Sequence, residues 1–168
     1  MIDISKYGDR LVVGVSGGKD STATCLHLME MGLPPSAYDR VFIDTGWESP
    51  VTYRHLDELE KTIGTITRIK SSVEIPEAHR DFVEDIEDRL GFQSAFVRFV
   101  IKWGYFPAGN RKWCTSVLKL DPLKKYYDGL DFVPINTTGV RWEEGGKRAS
   151  RERIEWFDYL DCYVFRGS

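Results

Sequence analysis

Ser16-Gly17-Gly18-Lys19-Asp20-Ser21 gathers two hydroxyls, an ammonium and a carboxylate around a pair of glycines. That set suits a polyphosphate ligand. Adjacent glycines let backbone amides approach an anion with no Cβ in the way. Lys19 brings a point charge, Ser16 and Ser21 bring hydroxyl donors, and Asp20 is placed to hold a magnesium ion on the phosphates. The flanks supply the rest. Leu11–Val15 reads as a strand and Thr22 to Met31 as a helix. A helix starting at the turn offers unpaired N–H groups and the positive end of its dipole. The expected ligand is a nucleoside triphosphate or its pyrophosphate. A Gly-Gly turn without a ligand is the plainer reading, and the flanking strand and helix weigh against it.

Two familiar phosphate loops are excluded. The Walker pattern needs an earlier glycine where Val13 stands, and Ser or Thr where Asp20 stands. The dinucleotide pattern G-x-G-x-x-G finds no completing glycine between Gly18 and Gly32.

Three more segments carry chemistry. Asp44-Thr45-Gly46, followed by Glu48, Pro50 and Tyr53, closes a second strand. Asp44 there is either a ligand contact or a turn-stabilising side chain. Arg111-Lys112-Trp113-Cys114-Thr115 precedes Leu118-Lys119 and Pro122-Leu123. Arg111, Lys112 and Lys119 suit anionic oxygens, Arg bidentately. Cys114 sits among basic residues, a setting that favours reactive thiols. Thr138-Gly139-Val140-Arg141 precedes Glu143-Glu144 and Lys147-Arg148. Arg141 either meets phosphate or pairs with Glu143 or Glu144 on the surface.

The Ser16–Ser21 run resembles the S-G-G-x-D-S signature of the PP-loop ATP pyrophosphatases, part of the adenine nucleotide alpha hydrolase superfamily. The other three segments resemble, in order, motifs of its phosphoadenosine phosphosulfate reductase-like branch. The second of them also resembles ATP pyrophosphatase subunits linked to DNA phosphorothioation. The likeness runs from about Leu11 to Arg153. It implies a three-layer α/β/α domain of the HUP type. It implies ATP and magnesium as cofactors, cleavage between the α and β phosphates, and transfer of adenylate to an acceptor. It places Ser16, Gly17, Gly18, Lys19, Asp20 and Ser21 around the departing pyrophosphate, with Asp20 on the metal. Asp44, Thr45 and Gly46 would lie beside the adenosine. Arg111, Lys112, Lys119, Gly139, Arg141, Lys147 and Arg148 would complete the nucleotide site. Lys19, Asp20, Arg141 and Cys114 would be catalytic, Cys114 carrying sulfur or a cluster shared with a partner.

Departures from the branch limit that reading. Sulfonucleotide reductases end with a cysteine that attacks sulfur, and no cysteine follows Cys162. Thr115 follows Cys114, so the adjacent cysteine pair of iron–sulfur members is missing. Three cysteines cannot complete a four-thiolate cluster within one copy. Reductase activity by this polypeptide alone is therefore not expected. The ending Phe165-Arg166-Gly167-Ser168 reads as a tag scar or the truncation of a longer protein.

The elements that must position these residues alternate in type. Leu11–Val15, Arg40–Asp44, Thr65–Ile69 and Phe132–Thr137 read as strands, and Ile154–Phe165 as one long aromatic strand. Ser21–Met31, Pro50–Ile63, Pro76–Leu90 and Phe92–Trp103 read as helices. Another starts near Cys114 and is interrupted or restarted at Pro122, and one more is expected near Glu143–Arg151. Alternation of this kind predicts a mostly parallel sheet covered on both faces. Right-handed crossovers then collect the glycine-bearing loops on one edge.

Bulk properties set the bounds. One domain is expected over residues 1–168. No apolar run reaches membrane-span length and the N-terminus does not read as a signal peptide, so a cytoplasmic location with no membrane partner is expected. A net charge of −3 argues against bulk nucleic-acid binding. The charge is uneven: Arg98 to Arg153 holds twelve Lys or Arg against six Asp or Glu. Cys25 and Cys162 read as core, and His27, His55 and His79 as structural. Trp103, Tyr105, Phe106 and Trp113 cluster in sequence and read as core or dimer packing, with stacking of one of them on a base as the alternative. The expected partners are an adenine nucleotide and an unnamed acceptor, with a homodimer or partner subunit left open. A sulfonucleotide reductase domain is the first rival reading. A nucleotide-binding subunit of a nucleic-acid-modifying or defence complex is the second.

Overall fold

The computed structural model describes residues 6–106, 108, 113–139 and 154–167. Its elements run β1 (Arg10–Gly14), α1 (Lys19–Glu30), β2 (Asp39–Asp44), α2 (Pro50–Ile63), β3 (Thr67–Lys70), α3 (Arg80–Leu90), α4 (Ala95–Trp103), α5 (Trp113–Thr115), α6 (Asp121–Asp128), β4 (Pro134–Gly139), β5 (Ile154–Phe157) and β6 (Cys162–Gly167). Short 3₁₀ turns cover Pro35–Ala37 and Glu77–His79, and a π-helical turn at Ser116–Leu120 joins α5 to α6.

The strands form one sheet in the order β3-β2-β1-β4-β6-β5. All neighbours are parallel except β5, which runs antiparallel to β6. Successive residues of β1 face opposite sides of the sheet, as the strand period of two requires. Leu11 and Val13 join Cys25 and Leu28 of α1 and Leu56, Leu59 and Ile63 of α2 in one core layer. Val12 joins Val41, Tyr127 of α6, Leu160 and Cys162 in the other. The expected three-layer α/β/α architecture with a mostly parallel sheet is what forms. A smaller apolar cluster, Val73, Ala95, Phe99 and Leu118, holds α4 against the helical run that begins at Trp113.

The chain leaves β1 to build β2 and β3 on one side, then returns to place β4 on the other. The sheet therefore has a switch point between β1 and β4, at their carboxyl ends. Open α/β sheets bind ligands in the crevice at such a point.

Several expectations need correction. Ile154–Phe165 is a hairpin: β5 and β6 are joined by a turn in which Asp161 takes φ +50. Asp tolerates that left-handed conformation, so no glycine announces the turn. The helix of Pro76–Leu90 begins as a 3₁₀ turn and becomes α-helical at Arg80. The next helix starts at Ala95, because Gly91 closes α3 at φ +73 and the Ser94 side chain caps α4 by accepting from Val97 N–H. Pro122 does mark the expected interruption and restart of the helix near Cys114. It sits in the first turn of α6, directly after the π turn, where an absent N–H costs little. The helix expected near Glu143–Arg151 lies outside the described residues. Among those residues, no helix is long and apolar enough to cross a membrane.

Candidate functional site

The loop from Ser16 to Ser21 leaves β1 and enters α1 at the switch point. Gly17 takes φ +73, a conformation that suits glycine. Gly18 is the N-cap of α1 and has no side chain with which to cap it. Ser21, only 7% exposed, organises the turn from inside. Its Oγ donates to the Gly18 carbonyl at 3.0 Å and accepts the Ser16 N–H at 3.2 Å. Thr22 Oγ1 also donates to the Gly18 carbonyl, at 3.1 Å, and the Gly18 N–H reaches Ser16 Oγ at 3.3 Å. The first amides of α1 thus stand without a side-chain cap, where a helix favours an anion. Lys19 is exposed and Asp20 half-buried in the first turn. The expected role of Ser21 as a direct ligand donor is joined by a structural one, since its hydroxyl is already engaged.

The opposite wall of the switch point is β4. Val13 of β1 pairs with Thr137 of β4, so Gly139 lies two residues beyond that pair, beside the phosphate loop. This fixes the approach of the Thr138-Gly139 segment. Arg141, Lys147 and Arg148 lie outside the described residues, as do Arg111 and Lys112.

The loop after β2 is clasped from two directions. Asp44 Oδ1 accepts the Gly46 N–H at 2.8 Å and the Tyr53 hydroxyl at 2.7 Å. Burial and that bond push the Tyr53 phenol up to about 12. Thr45 Oγ1 donates to Glu48 Oε1 at 3.2 Å. The Thr45 carbonyl accepts the Phe96 N–H at 3.1 Å, which ties the loop to the first turn of α4. Gly46 sits at φ +72, and a Cβ there would lie 2.9 Å from Ser94 Cα. Asp44 therefore stabilises the turn, the role left open beside ligand contact.

Between this loop, the end of β3 and the start of α4 lies a cavity of about 530 Å³. Asp44, Tyr53, Lys70, Ser71, Ser94 and Arg98 are among its walls. The volume falls in the range of small-molecule sites, about 300–1,000 Å³. Its α4 wall is braced by Glu87 of α3, a carboxylate only 5% exposed. Arg98 Nε and Nη2 each donate to Glu87 at 2.7 Å, and the Ser94 N–H donates to it at 3.2 Å. Those donors, led by the Arg98 fork, hold the Glu87 carboxyl below its usual range. Ser71 Oγ donates to the carbonyl of Leu118 in the π turn, tying the β3 end to the segment that carries Lys119.

Lys70, Ser71, Gln93, Ser94 and Arg98 were not singled out from the sequence. The Glu87–Arg98 fork joins two different helices, so no local spacing signals it. Lys119 is exposed in the π turn. Cys114 is half-buried against the Phe99 and Leu118 cluster, and among the described residues no three His, Cys, Asp or Glu side chains form a metal-holding group. Cys25 and Cys162 are fully buried, and burial pushes both thiols up to about 11. An aromatic group not expected as such from the sequence forms: Trp47 stacks on Phe96 with centroids 5.7 Å apart, flanked by Phe106 and by Phe92, which lines the cavity.

Comparison with known proteins agrees with this geometry. An uncharacterized protein of Methanocaldococcus jannaschii is 31% identical over 153 residues, covering 89% of this chain and 26% of its own length. An uncharacterized nin region protein of Escherichia phage lambda is 35% identical over 161 residues, covering 90% of this chain and 55% of its own. An uncharacterized protein of Escherichia phage 186 is 28% identical over 185 residues, covering 89% and 53% respectively. The chain spans between a quarter and just over half the length of these curated relatives. The phosphoadenosine phosphosulfate reductase domain model matches residues 10–161. By that match across nearly its whole length, the chain belongs to the phosphoadenosine phosphosulfate reductase domain family, within the PP-loop superfamily.

Proposed function

We propose that this chain binds ATP and cleaves it between the α and β phosphates, passing adenylate to an acceptor. The observation that carries the reading is the uncapped amino end of α1, set behind Gly17 and Gly18 at the sheet's switch point. The first-turn amides of α1 from Lys19 onward and the Lys19 ammonium receive the β and γ phosphates. The cavity at the ends of β2 and β3 takes the nucleoside part. An acceptor atom forms a bond to the α phosphorus as the bridging oxygen leaves with the β and γ phosphates. Positioning and charge stabilisation are the protein's share of this chemistry. Arg141 is proposed to steady the α phosphate, by virtue of its Thr138-Gly139-x-Arg141 segment.

Asp20 fits magnesium, which takes one or two carboxylates and fills its other positions with phosphate oxygens and water. When bound, the ion would neutralise charge on the phosphates. Cys114 is proposed to act in sulfur transfer only if the acceptor or a partner supplies the second group, because Cys25 and Cys162 are sealed in the core.

The test is incubation with ATP and magnesium, resolving AMP and pyrophosphate from ADP and phosphate, with candidate acceptors added. AMP or an adenylated acceptor supports the reading, and Lys19→Ala should abolish it. ADP as product sinks it. A second reading follows from the matched family itself: the nucleotide is a sulfonucleotide. Thioredoxin-dependent reduction of phosphoadenylyl sulfate by the purified chain would favour that alternative.

A further inference from the structure

His55 lies where the fold brings α2 against the phosphate loop. A Cβ built on Gly17 would sit 3.6 Å from His55 Cδ2, 3.6 Å from Thr52 Cγ2 and 3.5 Å from Leu56 Cδ2. These are ordinary van der Waals separations from a methyl that Gly17 lacks, so the imidazole edge faces the loop across about the width of that missing methyl. Nε2 is the ring atom bonded to Cδ2. The sequence reading of all three histidines as structural is one from which this position invites a departure.

Its position is dictated from both sides. Leu56 is fully buried and fixes the rotation of α2. Tyr53 anchors the preceding turn through its 2.7 Å bond to Asp44. Yet His55 itself is exposed and fills no core space. Its counterparts are elsewhere: His27 lies in the last turn of α1, 3.7 Å from Glu30, and His79 ends the 3₁₀ turn before α3. An exposed imidazole carries at least one N–H donor in either protonation state.

We propose that His55 is a ligand-binding residue of the phosphate loop, donating a ring N–H to an oxygen of the bound pyrophosphate moiety. The proposal rests on the phosphate-loop reading above. It adds a side-chain donor from α2 to the amides of α1 and the ammonium of Lys19.

The test uses the whole chain and inorganic pyrophosphate with magnesium as the probe. Calorimetric titration of wild type, His55→Ala and His27→Ala should show about tenfold weaker binding for His55→Ala alone, the size of one hydrogen bond to a charged group. Ring signals of His55 in NMR should shift with saturable pyrophosphate while those of His27 and His79 stay still. The side chain is exposed, so the variant is expected to fold, and thermal unfolding checks this. Unchanged affinity in a folded His55→Ala, or stationary His55 signals at saturation, overturns the proposal. Failure of wild type to bind pyrophosphate overturns the phosphate-loop reading first, and the role of His55 with it.

Discussion

The Tyr53 hydroxyl donates to Asp44 Oδ1 at 2.7 Å, joining the first turns of α2 to the carboxyl end of β2. The same oxygen holds the Gly46 N–H at 2.8 Å, so one carboxylate sets both the loop and the helix beside it. Tyr53→Phe should lower unfolding free energy by about 1 kcal/mol, the net value of a typical hydrogen bond. Asp44→Ala loses both bonds and should cost about 2 kcal/mol. Urea denaturation of the two variants measures this, and equal costs would mean that Gly46 holds the loop unaided.

Gly46→Ala is expected to be the most damaging single methyl in the chain's β2 loop. The new Cβ meets backbone at 2.9 Å, at Ser94 Cα, which cannot swing aside as a side-chain tip can. The residue must also keep φ +72. Strain of this kind costs on the order of 1–3 kcal/mol, and the clash adds to it. Gly17→Ala shares the positive φ but meets its neighbours only at 3.5 Å or more. Comparing the denaturation midpoints of the two variants separates steric clash from backbone strain, and Gly46→Ala should be the worse.

The fork between Glu87 and Arg98 makes stability depend on acid. Arg98 holds the Glu87 carboxyl below its usual range in the folded protein. The stabilisation is therefore complete above the unfolded value of about 4.3 and is lost as pH falls through the lowered folded value. Denaturation from pH 7 down to pH 3 should show a decline that Glu87→Gln flattens. At pH 7 that variant should itself lose about 2–3 kcal/mol, because Arg98 and the Ser94 amide lose a charged acceptor.

Thiol labelling should separate the three cysteines. Cys114 is half-buried, whereas Cys25 and Cys162 have no exposed surface and thiols raised to about 11 by burial. A disulfide reagent at pH 8 should modify one thiol per folded chain rapidly, and Cys114→Ser should remove that phase. Denaturant should release the other two.

The strand–glycine turn–helix unit at Ser16–Ser21 and the sheet were legible in the sequence because they are local. Leu11 to Val15 is too apolar for anything but a buried strand, and Gly17-Gly18 before a helix admits few other uses. Asp44-Thr45-Gly46 was legible as a loop but not as a clasp, since its partners on α4 come much later in the chain. The β5–β6 hairpin was hidden because its turn, Asp158 to Asp161, has no glycine or proline and sits within an aromatic run. Ser21 was read as a donor to ligand because burial cannot be seen in a hydroxyl's identity. The role proposed for His55 had no sequence signal, because it rests on the approach of α2 to Gly17, two elements brought together by the fold.

The placement of β4 also sets an order of events. The phosphate loop gains one flank as soon as β2 pairs with β1, early in the chain. Its other flank is Pro134–Gly139, which follows β3, five further helices and the π turn. A nascent polypeptide emerging from the ribosome therefore carries the loop half-walled until β4 arrives. The nucleotide proposed above would meet both flanks only once most of the domain has been synthesised, so it would reward completed folding without guiding its first steps.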